Sequence, residues 1–330
     1  MTYLLSLLDK SPIEQGLTGA DALRATVKIA TRAEELGYHR FWVAEHHSMS
    51  NLASSAPEAL MAYLLAKTSR IRVGSGGVML QHYSAYKVAE TFNLLASLAP
   101  GRVDLGVGKA PGGFPLSTRA LQLAVDPSRK PDFESQLSDL NTYLAADPSY
   151  QGAQATPFPP TAPERFLLGA SVESAELAAA KGWELVFAGH LNGDPDNLRR
   201  TFEAYERASG GKRPILALAA FAAESEEYAR ERVGKLRIVK VFLPEGQTVN
   251  VGSEEQAAEF ARQAGVTDYH IEEKVPSVLH GTAMQIRKEL DELHRRYGVK
   301  EFVLDTPALS TADRLASIEL LAAERLSLVA

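Results

Sequence analysis

The residues best suited to chemistry in this chain are the adjacent Glu45, His46 and His47. A carboxylate beside two imidazoles can bind a metal, anchor a loop or relay a proton near neutral pH. Neighbouring side chains on a strand point to opposite faces, so adjacent histidines make a poor metal pair. A barrel-type metal hydrolase would also want His-x-His early and an acid late. Asp305 could be that acid, but the first strand offers only Asp9. A second constellation is Ser171-Val172-Glu173-Ser174, two hydroxyls one turn apart where a strand becomes a helix. A helix start of this kind binds phosphate through its free N–H groups, and Lys109 could supply a cation. An ordinary N-cap uses the same serines. Third, Gly74-Ser75-Gly76-Gly77 puts glycines inside a strand. That marks a bulge or a close backbone approach, such as a flat ring system would need. Pro111-Gly112-Gly113 reads as a turn or as a mobile lid.

These groups must be positioned by regular elements. Apolar runs predict strands at 3–8, 40–44, 71–80, 102–108, 166–170, 185–188, 214–222 and 301–305. Between them, helical periodicity predicts helices at 20–36, 57–68, 84–98, 131–144, 172–181, 195–209, 282–297 and 311–326, and a long one beginning near Glu224. Thr18 and Asp21 give the first helix a start signal, and Gly37 ends it. Pro57 sits in the first turn of its helix, where a missing N–H is harmless. Residues from about 242 to 281 fit the rhythm least and read as an insertion between the seventh and eighth units.

Strands alternating with helices imply a parallel sheet with right-handed crossovers. An open, doubly wound nucleotide fold would want Gly-x-Gly-x-x-Gly after the first strand. Here Asp9-Lys10-Ser11-Pro12 follows it. The expected fold is therefore a single α/β domain over residues 1–330, a TIM (β/α)8 barrel with an insertion between strand 7 and strand 8. In such a barrel the site lies at the C-terminal strand ends. Glu45, His46 and His47 close strand two, Gln81 and His82 strand three, and Lys109 strand four. Ser171 and Ser174 follow strand five, and His190 and Asn192 close strand six. Half of the eight histidines thus fall at strand ends.

Composition narrows the remaining classes. With 35 basic and 41 acidic residues and no cationic stripe, a nucleic-acid surface is not expected. The absence of cysteine removes disulfides, thiolate nucleophiles and sulfur metal sites. The start, Met1 to Asp9, lacks a cationic segment before its short apolar run, and reads as a buried strand rather than a signal peptide. No apolar stretch is long enough to span a bilayer, so a cytoplasmic protein is expected.

The chain resembles the bacterial luciferase-like flavin monooxygenases over nearly its whole length. The marks are Ala33-Glu34-Glu35-Leu36-Gly37-Tyr38, Phe41-Trp42-Val43-Ala44-Glu45-His46-His47, Ile71 through Leu80, Pro100 through Gly113, and Leu168-Gly169-Ala170-Ser171. The resemblance implies reduced FMN as cosubstrate, O2, a small organic substrate, a separate flavin reductase and a homodimer. It implies that His46 lies near the reactive flavin carbon. Gly76 and Gly77 match a non-proline cis peptide under the ring. Ser171 and Ser174, with Val172, Lys109 and Ala110, match the phosphate end, and Glu45, His47 and Gly112 the substrate pocket. Where the family usually has arginine this chain has Lys109, which keeps the charge but loses the fork that grips phosphate twice. Two alternatives remain beside the monooxygenase: hydride transfer with a deazaflavin, and a flavin-binding protein without catalysis. A dimer face is expected on the second and third helices, from Leu60, Met61, Leu64, Leu65, Phe92 and Leu95.

Overall fold

Local sequence sets the first elements. In a computed structural model, which describes residues 3–145, 147, 149–189, 194–246, 248–307 and 310–327, the chain opens with β1 (Leu4–Asp9) and α1 (Gly19–Glu35). Thr18 and Asp21 form a reciprocal capping box at the start of α1, which satisfies two N–H groups that the helix itself cannot. Then follow β2 (Arg40–Val43) and α2 (Pro57–Lys67), with proline in its first turn. The expected strand over 71–80 is broken. It divides into β3 (Arg72–Ser75) and β4 (Val78–Met79), and Leu80–His82 form a 3-10 turn. The Gly76–Gly77 peptide between them is cis.

Next come α3 (Ala85–Leu98), β5 (Val103–Gly108), α4 (Pro115–Leu121), α5 (Phe133–Leu144), β6 (Glu164–Gly169), α6 (Val172–Ala180), β7 (Glu184–Ala188), α7 (Pro195–Ala208) and β8 (Ile215–Ala222). The helix expected to be long is short: α8 (Glu226–Val233) starts on a Ser225 cap and stops at Gly234. Between it and the last barrel strand lie β9 (Ile238–Phe242), β10 (Thr248–Val251), α9 (Glu254–Ala264), β11 (His270–Lys274), β12 (Val278–Gly281) and α10 (Ala283–Tyr297). The chain closes with β13 (Glu301–Asp305) and α11 (Thr311–Ser327).

Parallel pairing runs β1–β2–β3–β5–β6–β7–β8–β13 and returns to β1, an eight-stranded closed barrel ringed by helices. Side chains alternate between two cores, as strand geometry requires. Leu5, Leu7, Phe41, Val43, Leu105, Val107, Leu216 and Leu304 face the helices. Leu8, Trp42, Phe166, Val186, Ile215, Ala217 and Val303 fill the barrel. The expected dimer-face residues Met61, Leu64, Leu65, Phe92 and Leu95 belong to the outer core and are buried, so they hold helices to the barrel instead. The second and third helices expose Tyr63, Leu94 and Leu98.

The N-terminal end of the barrel is plugged by charge. Arg40 Nε donates to Glu301 at 2.9 Å, and its Nη1 reaches Asp104 at 3.0 Å and Glu164 at 2.8 Å. Arg72 Nη2 meets the same Asp104 at 2.6 Å, and Trp42 Nε1 donates to it at 2.9 Å. At the opposite end, β8 outruns β7, and its last residues pair with β12 from Ala219–Val278 to Ala222–Gly281. β9, flanked by β10 and β11, makes a separate antiparallel sheet. That sheet and α9 pack Val239, Val241, Val251 and Ala257 around Phe114, from the loop after β5. Among the described residues, no helix is long and apolar enough to cross a membrane.

Candidate active site

Small residues make the floor of the barrel mouth. Gly76 follows β3 directly and donates its N–H to the Val43 carbonyl at 2.8 Å. A side chain at Gly77 would meet the Gly106 backbone at 2.9 Å, so β5 approaches the Gly76–Gly77 peptide too closely for any Cβ. Around this floor Ala44, Ala188, Ala217 and Ala219 are all buried. Trp42 and Phe166 are the largest side chains filling the barrel interior.

The Glu45-His46-His47 segment crosses this floor at the end of β2. Glu45 is fully buried and is held by three donors. His47 Nε2–H donates to it at 2.7 Å, the Tyr83 hydroxyl at 2.8 Å and the Met79 N–H at 3.0 Å. Burial and the neighbouring Glu45 carboxylate push the Tyr83 hydroxyl far above its ordinary range, so it stays protonated and remains a donor. His46 is clamped through its backbone, which donates to the Ser54 carbonyl at 2.8 Å, while Ser54 Oγ donates to the Ala44 carbonyl at 2.6 Å. Its ring differs from that of His47. Nδ1 is buried without a hydrogen-bond partner. Burial, with the Lys10 ammonium second, pushes the imidazole down to about 4, so His46 is neutral at physiological pH.

The loop after β5 is tied to this segment. His47 N–H donates to the Gly112 carbonyl at 2.7 Å, and His47 bridges Gly113 in parallel. Gly112 has φ of +65°, and a Cβ on Gly113 would lie 2.5 Å from the His47 carbonyl oxygen. Both positions therefore need glycine. His82 supports the loop from below. Its Nε2–H donates to the Pro111 carbonyl at 2.8 Å, and its Nδ1 accepts from the Gln122 amide at 2.8 Å. Gln81 donates to the Lys109 carbonyl at 2.8 Å.

At the far side of the mouth, β5 and β6 pair with Val107 opposite Leu167, which brings Lys109 level with Gly169. Lys109 is exposed and makes no ion pair among the described residues, and Ala110 beside it is exposed too. Ser171 is the N-cap of α6: its Oγ accepts the Ser174 N–H at 3.3 Å, and the two hydroxyls are 3.2 Å apart. Val172 begins the helix, half-buried. The Glu173 carboxyl is held below its usual range by its own backbone N–H and by Ser171, so an anionic group already rests at this helix start.

Three residues that carry weight here were not singled out by type. Tyr83 follows the strand-end pair Gln81-His82. Ser54 lies in a loop whose role only the fold discloses. Lys10 pairs with Asp305 across β1 and β13. Asp9, a conceivable metal ligand, is instead ion-paired with Arg314 and accepts the Ser11 N–H. His190 and Asn192 lie outside the described residues. An apolar groove of about 440 Å³ between α1 and α2 is lined by Leu23, Val27, Leu60 and Tyr63 and reaches the Ser54 loop that clamps the His46 backbone.

Comparison with known proteins gives the family and the fold. The chain is 45% identical over 327 residues to the N-acetyl-S-alkylcysteine monooxygenase of Bacillus subtilis (strain 168), covering 96% of each. The crystal structure of apo-MsnO8 superposes with a TM-score of 0.78 at 32% identity, over 98% of both chains. The oxygenating constituent of 3,6-diketocamphane monooxygenase of Pseudomonas putida, solved with FMN, shares the fold at a TM-score of 0.70 and 17% identity, over 97% of each chain. The family profile described as luciferase-like monooxygenase matches residues 1–300. With its closed barrel and the His46 segment at the mouth, the chain belongs to the luciferase-like monooxygenase family.

Proposed function

We propose that this protein is a two-component monooxygenase that takes reduced FMN from a separate reductase and oxygenates a small organic substrate. The observation that carries the reading is the His46 ring, neutral, with a buried and unpartnered Nδ1 beside a floor of glycine and alanine. A buried polar atom without a partner is costly unless a ligand completes it.

The residues present fit a flavin. Gly76 and Gly77, packed against Leu8, Trp42 and Gly106, would face a ring with backbone alone, and Lys109, Ala110, Ser171, Val172 and Ser174 would offer a cation, two hydroxyls and a helix start to a phosphate. When bound, reduced FMN supplies the two electrons that divide O2 between product and water. The protein does the rest. His46 offers Nδ1 as an open hydrogen-bonding position to the reacting atoms. Glu45 and Tyr83 fix the ring of His47, and Gly112 carries the loop that covers the substrate. Closure excludes water. The name of the 45% identical relative makes N-acylated S-alkylcysteines the first substrates to try.

The test uses photoreduced FMN, isotopically heavy O2 and N-acetyl-S-methylcysteine. Product carrying one heavy oxygen atom is expected. His46→Ala should lower the yield rate by about 10²–10⁴ while leaving FMN affinity within twofold. No labelled product, or tighter binding of a deazaflavin than of FMN by fluorescence quenching, would sink the proposal.

A further inference from the structure

We propose that Lys10 is the anion-binding residue of the substrate pocket, and that it takes the carboxylate of a small monoanionic substrate. This rests on the monooxygenase reading above and adds the substrate's charge to it.

Lys10 continues β1 one step past the pair Asp9–Val43, which sets it level with Ala44 and two residues short of His46 on the neighbouring strand. Along β1 it is two positions beyond Leu8, which fills the barrel, so strand alternation puts it on the inner face at the mouth. Asp305, the end of β13, holds its ammonium at 2.5 Å. The pair is asymmetric in exposure: the Lys10 side chain is 29% accessible and that of Asp305 only 9%. What the pair presents to the mouth is therefore the cation. An ammonium has three donors, and Asp305 takes one.

The support beneath Lys10 is rigid. Ser11, the next residue, has φ of +50°, a left-handed conformation uncommon for a residue with a Cβ. It is held there because Asp9 accepts its N–H at 2.5 Å and because its hydroxyl lies 2.8 Å from Thr26 Oγ1. Asp9 is in turn fixed by Arg314. Unusual backbone that the surroundings over-determine is characteristic of sites that must hold a side chain in place. The competing anion at the mouth, Glu45, is fully buried and saturated by His47, Tyr83 and Met79. Glu45 therefore takes no part in holding Lys10, whose ammonium keeps donors beyond the one given to Asp305.

The experiment is calorimetric titration of the full chain, in saturating oxidised FMN, with N-acetyl-S-methylcysteine and with its carboxamide. The wild-type protein should bind the acid at least about tenfold more tightly than the amide, the scale of one hydrogen bond to a charged group. Lys10→Met should erase that preference and leave amide affinity within twofold, and Lys10→Arg should restore it. No acid preference in the wild type, or an intact preference in Lys10→Met, overturns the proposal. An intact preference with a lowered melting temperature would make Lys10 a clamp between β1 and β13 only. Heavy-oxygen incorporation is read separately, so a protein that prefers the acid but oxygenates nothing overturns the monooxygenase reading and not this one.

Discussion

Two imidazoles side by side in sequence have opposite electrostatic fates. His47 is fastened to a buried carboxylate, whereas the ring of His46 is desolvated beside a lysine. The consequence for stability has a definite sign. In the unfolded chain the His46 ring takes up a proton near pH 6.5; in the folded chain it does so only near 4. Between those values the unfolded chain alone is protonated, so stability that is present above pH 6.5 is lost as pH falls toward 4, by about 3 kcal/mol at most. Urea unfolding at pH 7.5 and pH 5 should show that loss in the wild type and a smaller one in His46→Gln. An equal loss in both would refute the assignment. Residue types alone could name His46 as a candidate. They could not separate it from His47, because the separation depends on Met79 of β4, on Tyr83 just after the 3-10 turn and on Lys10 just past β1.

Among the elements, α6 carries the most testable interaction. Its first turn offers N–H groups to an anion, and Glu173 already competes for them. Glu173→Ala should tighten FMN binding about threefold by removing a like charge from the phosphate end. Lys109→Arg should tighten it further by restoring a two-pronged grip. Fluorescence titration of FMN at two salt concentrations checks both, and unchanged affinity in both variants would remove this helix from the phosphate site. The long periodic helices and apolar strands were readable because burial dictates their pattern. Three elements were not. The run over 71–80 has strand composition throughout, but the close approach of Gly106 to Gly77 interrupts it. α4 lies in a stretch with too little apolar period to register. α9 was hidden in the 242–281 segment, although its Ser253 cap and left-handed Gly265 are ordinary helix limits.

For the whole molecule, the two ends of the barrel do different work. The N-terminal plug around Arg40 is remote from the mouth and closes the barrel where the strands begin. Arg40→Ala would leave Asp104 and Glu301 buried without their shared partner, a loss of about 3–5 kcal/mol. Chemical denaturation should register it with FMN affinity preserved; a loss below about 1 kcal/mol would show that water replaces the guanidinium. On the outer wall, Tyr63, Leu94 and Leu98 remain exposed after the inner faces of α2 and α3 are spent on the core. We expect these residues, with the groove beside Tyr63, to form a homodimer contact. Sedimentation should give a dimer for the wild type and a monomer for Leu98→Glu, and a wild-type monomer would end that expectation.

The loop after β5 has a consequence of another kind. Gly112 and Gly113 are fastened to His47, and Phe114, the next residue, is buried in the core of the antiparallel sheet. Phe114 also stacks edge-on against Phe260 of α9, with ring centroids 5.5 Å apart. Phe114 is thus separated from the His47 backbone by two residues of chain and one hydrogen bond. On the proposed reading, any movement of this loop over a substrate would carry the His47 backbone with it, so access and alignment would be coupled.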